Sequence, residues 1–205
     1  MPSSIEKIVD GFPFQTIDPI VGTPDYESIA EIHLKFNSNA ASVQSNFGCG
    51  TLVLLFLNVS PDIYNTLSAV AFVPPVNPEP EPAIPAGATG SAIANLRYHH
   101  AVATNVLTEY ENTDKSLCWL LLASIDEIYA RSLRHKYIRY GRTTTRSLLE
   151  HLYTTYANIS ASSLQDNDMR LRYRYDRNQP FKTLIYQVKN VVEYASARDT
   201  PYTPD

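Results

Sequence analysis

The chain has 205 residues, of which 44% are hydrophobic and 19% charged, with a formal net charge of −4. That is enough apolar material for one sizeable core or two small coupled ones, and it excludes a chain kept disordered by polarity. Two cysteines, Cys49 and Cys118, exclude a disulfide framework and a four-cysteine zinc site, and a total of 7 glycines counts against a turn-rich β-sandwich and against phosphate-cradling loops.

Residues 1–22 read as a flexible N-terminus. Residues 1–10 carry both charge signs and lack the apolar stretch of a signal peptide. The longest apolar run, 52–57, is far short of the roughly 20 residues that cross a bilayer. The expectation is a soluble, cytoplasmic protein with no membrane partner.

Residues 23–73 form an N-terminal helical subregion. Thr23-Pro24-Asp25 reads as cap, first-turn proline and acid, and Ile29, Ile32 and Phe36 come next at helical spacing, which predicts a helix over 24–37. Gly48 and Gly50, either side of Cys49, interrupt regular structure beyond that helix. The run 52–57 fits a short buried strand or a helical turn, and periodicity does not choose between them. Ser60-Pro61-Asp62 starts a short helix over 61–67.

Six prolines fall between residues 74 and 85, which makes 74–88 an extended connector. Residues 89–197 are read as a C-terminal core of five helices, and 198–205 as a flexible tail. Thr89 caps a helix bearing Ile93, Leu96, His100, Ala103, Leu107 and Tyr110. Thr113-Asp114 opens the next, with Leu117, Leu121, Ile125 and Ile128 on one face. Its last turns carry Arg131, Arg134, His135 and Lys136, suited to the negative end of the dipole, and Gly141 marks its stop. Thr144 or Thr145 caps a third with Leu148, Leu149, Leu152, Tyr153 and Tyr156, Ser160 opens a fourth, and Pro180 precedes a fifth with Phe181, Leu184, Ile185, Val188, Val191, Val192 and Ala195. The fold class expected is all-α.

The mean charge conceals two opposed regions. Residues 1–90 hold two basic and nine acidic side chains, whereas 131–182 hold eleven basic and four acidic. Within the basic region, Arg170, Arg172, Tyr173, Arg174 and Arg177 interleave cations with stacking rings, a composition that fits RNA and equally fits a protein interface. Asp166 to Arg170 and Asp168 to Arg172 are also acid-before-base pairs of an ordinary solvated helix. Arg131, Arg134, Lys136, Arg139, Arg142 and Arg146 extend the cationic set, and the first five are the candidate self-association residues.

Chemistry-bearing motifs are missing. There is no nucleophile elbow, P-loop, dinucleotide fingerprint or paired-histidine zinc motif. Glu150 and His151 are sequence neighbours and do not face each other on a helix. Cys118 sits within an apolar helical face as a small hydrophobe. No catalytic residue, cofactor, metal or small-molecule substrate is expected.

The chain resembles the Gag-like capsid polypeptide of copia-type LTR retrotransposons, in the branch of diatoms, other algae and protists. The resemblance runs from about Thr23 to Pro204. It rests on Pro24-Asp25-Tyr26-Glu27-Ser28-Ile29, Asn39-Ala40-Ala41-Ser42-Val43, Phe72-Val73-Pro74-Pro75-Val76-Asn77-Pro78 and Ile84-Pro85-Ala86-Gly87-Ala88-Thr89. It continues through Leu148-Leu149-Glu150-His151-Leu152-Tyr153-Thr154-Thr155-Tyr156, Thr183-Leu184-Ile185-Tyr186-Gln187-Val188 and Val191-Val192-Glu193-Tyr194-Ala195. It implies a helical, non-enzymatic protein that associates with itself into particles, with the element's RNA as a further partner. The zinc knuckle that many such polypeptides carry is not in this chain. The alternative is a helical nucleic-acid-binding module using the Arg/Tyr segment.

Overall fold

The computed structural model describes residues 4–45, 52–71, 73–78, 80, 83–172 and 178–199. Among these there are eight α-helices and no strand, so the fold is all-α. The helices are α1 (Ser4–Asp10), α2 (Tyr26–Ser42), α3 (Pro61–Leu67), α4 (Gly90–Ala123), α5 (Glu127–Ala130), α6 (Thr145–Tyr156), α7 (Ala161–Arg172) and α8 (Phe181–Asp199). A 3-10 helix spans Val53–Leu57, which settles the 52–57 run as a helical turn.

Residues 4–22, expected to be flexible, hold a helix and are tied down in three places. Phe12 is buried in the core. The Asn39 side chain clamps the backbone of Phe14, its Oδ1 accepting from Phe14 N at 2.9 Å and its Nδ2 donating to Phe14 O at 2.9 Å. Ile20 N donates to Ser124 O at 2.9 Å. An amide side chain that meets both groups of one residue replaces a ladder that a lone segment lacks.

Helix α2 starts later and ends later than its expected span. Asp25 rather than Thr23 is the cap: its side chain accepts from Ser28 N at 2.9 Å while Ser28 Oγ accepts from Asp25 N at 3.0 Å. This reciprocal pair satisfies two otherwise orphaned donors. The helix runs on to Ser42 because Asn39 and Ala40 are buried by it.

The largest correction concerns α4. The sequence predicts two helices with a break at Thr113-Asp114, and one helix of 34 residues is found. Thr113 Oγ1 donates back to Glu109 O at 2.9 Å, so it continues the helix instead of capping it. The helix ends at Ala123 instead. Ser124 N reaches back to Leu120 O and Leu121 O, and Asp126 then caps α5 by accepting from Ile128 N at 3.1 Å. The basic residues expected on a last helical turn therefore lie in a 3-10 turn and a tight backbone bend. In that bend His135 N donates to Arg139 O at 2.8 Å and Arg139 N to His135 O at 3.0 Å. Gly141 stops no helix: it closes the bend, and an added Cβ would sit a tight 3.1 Å from Ile138 O.

One core draws on both sides of the proline-rich connector, rather than on the C-terminal helices alone. Ile29, Ile32 and Phe36 of α2, Leu54 and Leu57 of the 3-10 helix, and Tyr64 of α3 meet Leu117 and Leu121 of α4 and Leu148, Leu149 and Leu152 of α6. Thr144 caps α6 with a reciprocal Ser147 pair. Helices α7 and α8 pack on each other through Asn167, whose Nδ2 donates to Val191 O at 2.9 Å, and they stand beside this core. The expected apolar face of α8 is mostly not buried, since Val191 is buried and Phe181, Ile185, Val188 and Val192 are exposed.

Candidate self-association surface

The cationic loop between α5 and α6 projects Arg131, Arg134, Lys136, Arg139 and Arg142 with no acidic residue among 131–142. Arg134 Nη1 reaches Glu127 Oε1 at 3.2 Å, and Lys136 Nζ lies 5.3 Å from the Tyr137 ring centroid. Arg139 has φ of 50°, a left-handed backbone that a side chain bearing Cβ rarely adopts. The bend it closes holds Tyr137 out at 80% exposure. Arg146 is withdrawn from this set: its Nη2 donates to Val59 O at 2.8 Å and also to Phe56 O, and its guanidinium lies 4.4 Å from the centre of the Phe56 ring.

Beside the bend lies a cleft of about 510 Å³ formed with α1 and α4. Trp119, 74% exposed, stands on its wall with Ile5, Ile138 and Tyr140, and Lys115 and Arg139 supply its cations. Its lining includes no carboxylate. Cys118 at its base donates to Thr143 O at 3.5 Å, and burial pushes its thiol pKa up to about 12. Such a thiol is protonated at neutral pH and is a poor nucleophile.

The Arg/Tyr segment divides. Tyr173, Arg174 and Arg177 lie outside the described residues. Arg170 forms a two-point ion pair with Glu27 of α2, Nη2 to Oε2 being 3.1 Å, and its guanidinium lies 5.9 Å from the Tyr194 ring centroid. It joins α7 and α8 to α2, a use that sequence spacing alone does not reveal. Arg172 is exposed at the end of α7.

Two helical faces carry apolar side chains outward. On α8, Phe181, Ile185, Val188 and Val192 succeed one another at steps of four, three and four, and Phe181 is 66% exposed. On α4 the buried residues are Thr113, Ser116, Leu117, Cys118 and Leu121, so residues 90–112 hold none.

Two histidines have partners that decide what chemistry they can do. His33 Nε2 lies 3.1 Å from Asn58 O, which only accepts, so Nε2 carries the proton and Nδ1 receives the Tyr153 hydroxyl at 3.1 Å. Burial lowers its pKa, which keeps it neutral. Ser132 Oγ sits 3.1 Å from His151 Nε2, a pair the sequence did not suggest. That nitrogen also faces Tyr129 O at 2.9 Å, so it is a donor, and it cannot take a proton from Ser132. Nδ1 of the same ring is 3.2 Å from Thr155 Oγ1, not from a carboxylate. Among the described residues no group of three or more His, Cys, Asp or Glu could hold a metal, and no helix is long and apolar enough to cross a membrane. In comparisons with known proteins, no family model, curated protein or solved structure matches this chain.

Proposed function

We propose that this chain is a non-enzymatic, self-associating protein of the Gag-like capsid kind, which builds particles from its own copies. The observation that carries the reading is the outward apolar stripe of α8. Phe181, Ile185, Val188 and Val192 are exposed on a helix of 19 residues in which Val191 is buried. A helix is stabilised chiefly by burying such a face, so a stripe left in water fits a protein whose burial is completed by another copy. Charge supports the same occupant. The acidic residues of 1–90 and the cationic loop at 131–142 are complementary between copies of one chain.

The reading as a nucleic-acid module is weaker on this geometry, because Arg170 and Arg146 are engaged within the fold. Among the described residues, packaging of RNA is left to Arg172 and to the loop cations. Sedimentation velocity over a range of concentrations tests the proposal. Growth of the weight-average mass with concentration supports it, and a single-chain mass throughout refutes it.

A further inference from the structure

On α4, Ile93, Leu96, His100, Ala103, Leu107 and Tyr110 repeat at alternating steps of three and four, the a/d spacing of a coiled coil. Asp114, Leu117 and Leu121 continue the same line, and Leu117 and Leu121 face the core. The line thus splits into a C-terminal part packed on the body and an N-terminal part that overhangs it. The overhang, residues 90–112, is about 35 Å of helix at 1.5 Å per residue. At the base of the overhang Tyr110 packs against the core and Asn112 Nδ2 donates to Ser4 Oγ of α1 at 3.3 Å, whereas no residue of α4 before Tyr110 joins the core or its flanks.

We infer that this overhang pairs antiparallel with the same stretch of a second copy, an inference that rests on the self-associating reading above. Charge selects the direction. Arg97, His99 and His100 lie in the N-terminal half of the overhang, and Glu109 and Glu111 lie in its C-terminal half, Glu111 also meeting Lys115 Nζ of its own helix at 3.2 Å. Parallel pairing sets Arg97 on Arg97 and Glu111 on Glu111. Antiparallel pairing lays the basic half of each copy over the acidic half of the other.

Side-chain size agrees with that direction. In the register centred between His100 and Ala103, His100 of one copy faces Ala103 of the second, Leu96 faces Leu107, and Ile93 meets the part of Tyr110 that its own core leaves uncovered. Large meets small at the centre, and apolar meets apolar toward the ends. Where α4 enters its own core near Thr113, the helix of the second copy begins at Gly90.

The test is sedimentation equilibrium of the full chain beside a Leu96→Asp/Leu107→Asp variant. Both positions lie outside the core, so the variant keeps its urea midpoint while self-association weakens at least tenfold. Leu96→Ala/Leu107→Ala, which favours the helix, gives a smaller loss in the same direction and decides the matter if the charged variant misfolds. Unchanged association in these variants overturns the α4 pairing and leaves the self-associating reading standing. A wild-type chain that is monomeric at every concentration overturns both. Direction is read with a spin label on Ser91→Cys in a Cys49→Ser background. Antiparallel pairing puts the two labels about 30 Å apart along the axis, whereas a separation under about 20 Å means parallel helices and overturns the assignment.

Discussion

Asp114, in the C-terminal third of the longest helix, holds the first residue of a different helix 31 positions away: Thr145 N donates to its Oδ1 at 2.9 Å while Thr145 Oγ1 donates to its backbone oxygen at 3.0 Å. The carboxylate is largely buried, and desolvation raises its pKa although the Thr145 bonds oppose the rise. The contact needs an acceptor there more than it needs a charge. Asp114→Asn is expected to change stability by less than about 1 kcal/mol, whereas Asp114→Ala, which orphans a buried amide, costs about 1–3 kcal/mol. Urea denaturation of the two variants gives both numbers.

Core and surface apolar residues should separate cleanly. Leu117 is fully buried between α4 and its neighbours, so Leu117→Ala is expected to cost about 2–5 kcal/mol. Val192 is exposed on α8, so Val192→Ala should leave monomer stability within about 0.5 kcal/mol while weakening self-association. Thermal unfolding at low concentration and sedimentation at high concentration read the two effects separately.

The fold is only partly legible in the sequence. Capping motifs place α3 and α6 well, because a Ser or Thr with a proline just after it, or a serine three residues on, acts within one turn. Thr113-Asp114 has the same local form and misleads, since its side chains serve Glu109 and Thr145 and only the second of these is remote. The clamp of Asn39 on Phe14, and the pair of Arg170 with Glu27, join residues 25 and 143 positions apart. No periodicity announces such contacts. The surface loop is legible as charge but not as shape, because the bend at Arg139 depends on a left-handed backbone that the residue type does not favour.

His33 makes stability depend on pH. Its folded pKa is lowered by burial, so folded and unfolded chains are both neutral there above the ordinary value of about 6.5. As pH falls through that value the unfolded chain takes up the proton first, and stability falls. The unfolding free energy should therefore drop from pH 7 toward pH 5. His33→Gln should be less stable at pH 7 and should lose the part of this slope that belongs to His33. An unchanged slope in that variant would count against the assignment.

Arg170 tests the division between packing and nucleic-acid contact. Arg170 and Glu27 are both about half exposed, so Arg170→Ala is expected to cost no more than about 1 kcal/mol. Its signature is local. Amide exchange in α7 and α8 should accelerate, exchange in the α2 and α6 core should not, and binding to single-stranded RNA in a filter assay should be unaltered. A large loss of RNA binding without faster exchange would return Arg170 to the nucleic-acid surface.

The central claim is that copies of this chain complete one another's apolar faces. Multi-angle light scattering of the purified chain over rising concentration, at low and high salt, tests it most directly. The account predicts a mass that climbs above the single-chain 23.0 kDa as concentration rises. A mass of one chain at every concentration and salt would contradict it.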